Sequence, residues 1–135
     1  MPAQTLRVPW RMSSAVDVRR AVVCELRRLQ VDATVVEEAE LVLSELVANA
    51  VRHAKPLADG TIRVNWTVRA GVVEVEVTDG GGPTVPRLAP HSLWSGSGRG
   101  LRIVRSLAHE WGVTEERNGR TVWAALGGPS RRRSH

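Results

Sequence analysis

Glu45 and Asn49 stand one helical turn apart within residues 44–54 (SELVANAVRHA), a segment that is otherwise largely apolar. Residues four apart share a helix face, so the carboxylate and the amide project side by side. A carboxylate in apolar surroundings costs free energy unless it is paired or used. Further along lie two glycine-rich stretches, 79–83 (DGGGP) and 96–101 (GSGRGL). An acid and an amide on one helix, an isolated aspartate, and glycines opening a helix are together the parts of a nucleotide site.

Each part has its own chemistry and a plainer account beside it. Asn49 offers a side-chain carbonyl, a hard oxygen suited to a Mg²⁺ ion that is also held by substrate phosphates. Glu45 is placed to take a proton from a water or hydroxyl attacking a terminal phosphate. On these two residues alone, a buried polar pair that satisfies itself or nearby backbone fits equally well. Asp79 can accept a hydrogen bond from an exocyclic amine such as that of adenine, with glycines beside it to let a flat ring approach. Asp-Gly is also a common turn dipeptide, and taken alone the turn is the simpler account.

Gly96, Gly98 and Gly100 lead into a helix whose free N–H groups and dipole favour an anion, and Arg99 adds a charge for phosphate. A flexible linker with an N-cap accounts for the same glycines. They make no Walker A loop, since no Gly-Lys-Ser/Thr occurs, and their spacing is not that of the dinucleotide fingerprint. His53 reads most simply as a packed or capping residue. The 4 histidines are scattered and form no metal-ligand pattern with the single cysteine.

The elements that must position these groups follow from hydrophobic period. A first helix near 15–30 sets Val18, Val22, Leu26 and Leu29 on one face. A second near 35–54 sets Ala39, Val42, Leu46 and Ala50 on one face, with Leu41, Ala48 and Val51 apolar on the other. Capping-box spacing precedes both, at Ser14 with Asp17 and at Thr34 with Glu37. After Asp59-Gly60 the period becomes two. Ile62, Val64, Trp66 and Val68, then Val73, Val75 and Val77 past Ala70-Gly71, describe a hairpin with one buried face. Its outer arginines and glutamates are spaced to pair across the strands. A third helix after Gly100 carries Leu101, Val104 and Leu107. A closing hairpin near 110–126 turns at Asn118-Gly119, and an early strand is expected near 5–8. Residues 80–99, with three prolines, are too long for a simple connector and read as a lid or binding loop.

This order predicts an α+β two-layer sandwich, a mixed and mostly antiparallel sheet covered on one face by three helices. The 135 residues fit a single domain, 1–129, with a basic tail over 130–135 that includes Arg131, Arg132 and Arg133. No apolar run approaches the roughly 18–20 residues of a membrane span. The N-terminus has no signal-peptide pattern, and one cysteine allows no internal disulfide, which suits a reducing cytoplasm. Cys24 falls within the first helix's apolar pattern and is expected buried. A net charge of +5, nearly all from arginine, is compatible with nucleic acid, phosphates or an acidic partner and decides among none of them.

Order and spacing taken together resemble the GHKL ATPase superfamily: Glu-x-x-x-Asn on a helix, Asp-x-Gly after a strand, then Gly-x-Gly-x-Gly-Leu before a helix. The resemblance runs from about Ser13 to Leu126, and the form SELVANAVRHA is similar to the anti-sigma-factor serine/threonine kinases of actinobacterial type. It implies the Bergerat, histidine-kinase-like ATPase fold and ATP with Mg²⁺ as cofactors. Glu45 then matches the general base, Asn49 the Mg²⁺ ligand, and Asp79 the adenine-reading acid with Gly81 beside it. Gly98, Arg99, Gly100 and Leu101 match the phosphate-side box, and Thr121 a threonine that holds adenine through water. The chain departs from the pattern at Pro83, where a second glycine normally stands. The implied partners are a sigma factor and an anti-anti-sigma antagonist protein, with a homodimer as the assembly and no nucleic acid or membrane. Two other readings remain: a catalytically silent module that sequesters a partner, and a basic nucleic-acid binder, for which no reading helix or motif is present.

Overall fold

The computed structural model describes residues 4–82, 104 and 106–128. Its elements in order are β1 (Gln4–Pro9), α1 (Ser14–Arg28), α2 (Ala33–His53), β2 (Thr61–Arg69), β3 (Val72–Asp79), β4 (Glu110–Glu116) and β5 (Gly119–Gly127). The five strands form one sheet in the order β1-β2-β3-β5-β4, and every pairing among the described residues is antiparallel, in place of the expected mixed sheet. α2 lies across β3 and β5, and α1 packs on α2 and β1. The result is the expected α+β sandwich with both helices on one face. Of the third helix, Val104, Ser106 and Leu107 are helical and Val104 is buried; its remainder lies outside the described residues. No described helix is long and apolar enough to cross a membrane.

The helices bury most of the stripes that their period sets, but Leu29, expected on the α1 stripe, is the C-cap just past the helix end and only half-buried. Val18, Val22 and Leu26 of α1 meet Val35, Ala39, Val42, Leu43 and Leu46 of α2 in one core with Ile62, Val64, Val75 and Val77. α2 is buried on more than one side, but Leu41, expected on a second buried face, is 50% exposed. Cys24 is also corrected, to an exposed free thiol. At about 100° per residue it lies far around the helix from the Val18-Val22-Leu26 stripe.

Neither capping box forms. The Ser14 hydroxyl, buried, donates to the Pro9 carbonyl and ties α1 to the end of β1. Asp32 rather than Thr34 caps α2, accepting from the Thr34 amide at 2.8 Å. The β2–β3 register sets Arg63 opposite Thr78 and Arg69 opposite Val72, so the outer arginines face no glutamate. Asn65 takes Glu76 instead, at 3.2 Å.

The β2–β3 turn consists of Ala70 and Gly71, at φ 52° and 80°. Both central residues of a two-residue hairpin loop of this hand need positive φ, which alanine adopts only at a cost of about 1–2 kcal/mol. Ala70→Asn is therefore expected to stabilise the fold by about 0.5–1 kcal/mol, read as a higher urea midpoint with an unchanged slope.

Candidate functional site

The second half of α2 carries Glu45, Asn49 and His53 at successive turns. The sheet brings Asp79, last in β3, opposite Arg120 in β5, with Val77 opposite Val122 in the same phase. Alternate strand residues share a face, so Val77, Asp79, Arg120 and Val122 all look toward α2. With Leu46, Asn49 and His53 they line one narrow, mostly enclosed chamber of about 10 Å³.

Asn49 is 2% exposed, and neither its Oδ1 nor its Nδ2 has a hydrogen-bond partner among the described residues. Leaving buried polar atoms unpaired costs about 1–3 kcal/mol. The account in which Glu45 and Asn49 satisfy one another is thereby overturned. Glu45 is half-buried on the preceding turn, makes no hydrogen bond or ion pair among the described residues, and is not among the residues lining the chamber.

Asp79 is buried, and its Oδ1 accepts from the Gly81 amide at 2.7 Å. That bond is the local turn which the Asp-Gly dipeptide suggests, yet it leaves the carboxyl inside the protein. Burial pushes its pKa up to about 6, against the Gly81 hydrogen bond and the Arg120 charge, which pull it down; Glu115 adds a small upward push. Burial, and secondarily the charge of Arg52, lower the pKa of His53, so its imidazole is neutral at pH 7.

The glycines after Asp79 are needed for a reason other than an approaching ring. A Cβ on Gly80 would lie 2.1 Å from the Pro56 carbonyl oxygen, and one on Gly82 would lie 2.6 Å from that of His53. This strand end is pressed against the exit of α2, where Gly80 N–H donates to the Lys55 carbonyl at 2.7 Å and Lys55 N–H donates to the Gly81 carbonyl at 2.9 Å. Only Gly81, at φ 81°, has open space where a side chain would point.

On the outer side of this segment is an open cleft of about 720 Å³, whose lining includes Trp10, Arg52, His53, Gly81, Arg117 and Arg120. Its size is that of small-molecule sites generally. Arg120 is only 3% exposed, and it donates from Nε to Glu115 Oε1 at 2.6 Å and from Nη2 to the Gly82 carbonyl at 3.0 Å.

The structure thus brings Asn49, Asp79 and Gly81 together and does not bring Thr121 to the chamber. Thr121 lies opposite Thr78 on the other face of the sheet, its hydroxyl 2.8 Å from that of Thr78 and 3.2 Å from Glu116 Oε1. Arg120 is the residue that sequence reasoning missed. The β4–β5 turn consists of Arg117 and Asn118, and Gly119 already pairs with Glu116, one position earlier than Asn118-Gly119 suggests. Gly119 is required because a Cβ there would fall 2.4 Å from the Asp79 carbonyl oxygen. The signal was present in the alternation Arg120, Val122, Ala124, Leu126, which puts Arg120 in phase with the core and Thr121 out of it. Gly98, Arg99, Gly100 and Leu101, with Pro83 and the tail, lie outside the described residues.

The family model for the histidine kinase-like ATPase domain matches residues 8–126. Among solved structures, the chain is similar to the RsbU and RsbW domains of Rv1364c from Mycobacterium tuberculosis, with a TM-score of 0.71 and 23% identity. That match covers 97% of this chain and 34% of the other, so the chain spans about a third of its length. The likeness is one of fold. No curated protein matches the chain.

Proposed function

The chain belongs to the histidine kinase-like ATPase domain family, and from that premise we propose that it binds ATP with Mg²⁺ and phosphorylates a serine or threonine of an antagonist protein, while also sequestering a sigma factor. One observation carries the nucleotide part: a buried amide with both atoms unbonded shares a chamber with a buried carboxyl, on the helix and strand end where the family pattern expects them.

The residues fit the nucleotide and the cation. Asn49 Oδ1 is a hard oxygen left without a partner, as a Mg²⁺ ligand must be before the ion arrives. A cation held by one side-chain oxygen, phosphates and water requires no acidic cluster, and none of three or more His, Cys, Asp or Glu groups occurs among the described residues. Asp79, ionised above about pH 6, accepts a hydrogen bond from the base amine. Mg²⁺, when bound, would neutralise phosphate charge. Glu45 takes the proton of the attacking hydroxyl; the hydroxyl oxygen bonds to the γ-phosphorus as its bond to the β-phosphate oxygen breaks, and ADP leaves. Gly98, Arg99, Gly100 and Leu101 take the phosphate-side role that the resemblance implies. Support for the sigma factor and antagonist is the form SELVANAVRHA, and the likeness to a structure containing an RsbW domain agrees in fold.

Calorimetric titration with Mg·ATP and with ATP plus a chelator tests this reading. The intact protein is expected to bind Mg·ATP, and Asn49→Ala to lose the Mg²⁺-dependent part of the affinity. Because the substitution removes two unsatisfied groups, its stability is expected to stay within about 1 kcal/mol of the parent. A protein that binds no Mg·ATP, or an Asn49→Ala variant that unfolds readily and binds as before, contradicts the assignment.

A further inference from the structure

Asp79 and Asn49 face a chamber of about 10 Å³, which holds at most about one water molecule. No purine ring reaches Asp79 in this conformation. The open cleft of about 720 Å³ lies alongside, and His53, Ala54 and Arg120 line both spaces. Ala54 has no side chain able to swing, and His53 is carried on the last turn of α2. Arg120 is different: a long side chain rooted in the sheet, with its charged end fixed by two hydrogen bonds at the boundary.

Those two bonds are informative in their direction. Arg120 is opposite Asp79 in register, yet its guanidinium turns to Glu115 Oε1 at 2.6 Å and to the Gly82 carbonyl at 3.0 Å. It therefore links β4 to the glycine segment while lining both the chamber and the cleft. The Glu115 side chain is 49% exposed and that of Arg120 only 4%, so the tether opens from the Glu115 side, where water can replace the carboxylate, and the freed guanidinium must then move out into the cleft to regain water. The tether is a closure that can be undone.

We propose that Arg120 is the gate of the base site: tethered to Glu115 and Gly82 it keeps Asp79 closed off, and a nucleotide base gains Asp79 only when Arg120 is released into the cleft. The proposal rests on the nucleotide reading of Asp79 and Asn49. A site competent in only a fraction of molecules binds with its affinity reduced by that fraction. Weakening the tether therefore strengthens binding, whereas deleting a residue that grips the base would weaken it.

The test uses the full chain with Arg120→Ala and Glu115→Gln. Glu115→Gln leaves Arg120 in place and alters a half-exposed residue, so it folds even if loss of the buried arginine does not. Arg120→Ala is expected to bind Mg·ATP about tenfold more tightly, with faster association in stopped flow, and Glu115→Gln to shift affinity about threefold the same way. Weaker or unchanged binding in both variants overturns the gate. A second readout needs no nucleotide: exchange of the Gly81 amide, whose acceptor Asp79 lines the chamber together with Arg120, is expected to quicken in both variants relative to the Val75 amide. Unchanged exchange overturns the proposal. If neither the parent nor the variants bind Mg·ATP, the nucleotide reading fails and the base-site gate fails with it; a parent that binds, with both variants unchanged, overturns the gate alone.

Discussion

Asp79→Asn is expected to give a more stable protein at neutral pH that no longer recognises the base. Burial holds the Asp79 carboxyl at about 6 in the folded chain, against an ordinary value of 3.8. Below pH 3.8 the group is protonated whether the chain is folded or not, and it imposes no penalty. As pH rises from 3.8 to about 6, the unfolded chain releases its proton first, and folded stability falls. Above that window the penalty is complete, about 2 pH units at 1.36 kcal/mol each, or about 2–3 kcal/mol.

Asparagine keeps an acceptor for the Gly81 amide and carries no charge, so it should recover about 2 kcal/mol at pH 7. Urea midpoints of the parent should decline between pH 4 and 6 while those of Asp79→Asn stay level. Affinity for Mg·ATP should fall about 10- to 100-fold, the worth of one charge-assisted hydrogen bond. Equal midpoints across that pH range in the two proteins would show that Asp79 is hydrated in solution. A gain in stability at the expense of binding is the usual mark of a residue kept for function.

Glu45→Ala should lower phosphoryl transfer about 10²- to 10⁴-fold, the range for loss of a general base, while leaving ATP affinity within a few-fold. Glu45 is half-buried on α2 and makes no hydrogen bond or ion pair among the described residues, so alanine, the best helix former, should not weaken the fold. The measurement is transfer of labelled γ-phosphate to candidate antagonist proteins, with partner capture followed in parallel. Transfer lost and capture retained supports the kinase. An intact protein that captures a partner and transfers nothing is the silent module, and Glu45→Ala would then change neither property.

Hydrophobic period made most of the architecture legible. Most of the α1 and α2 stripes, the first hairpin, the strands of the second and the early strand are where alternation indicates, because burial of those stripes is what forms them. What period does not carry is register. Whether the last hairpin turns at 117–118 or 118–119 depends on backbone proximity between Gly119 and Asp79, a long-range contact with no local signature. That single step moves attention from Arg120 to Thr121. The capping residues went astray for a similar reason: the Ser14 hydroxyl is drawn to Pro9 by the packing of α1 on β1. Asp79 and Asn49 stand out in the sequence because both break an apolar pattern, and folding buries both against one chamber. The purpose of the adjacent glycines is not legible there, because Gly80 and Gly82 answer to the carbonyls of Pro56 and His53, which only folding brings near.

The reciprocal hydrogen bonds of Lys55 with Gly80 and Gly81 act as a rivet between the exit of α2 and the exit of β3. Asn49 and Asp79, which the proposed reading assigns to opposite ends of the nucleotide, then belong to a single stiff frame. Their spacing is inherited from backbone and does not have to be found anew at each encounter. A protein pressing on the final turn of α2 would displace the carboxyl and the amide together, and would leave the span between them unaltered.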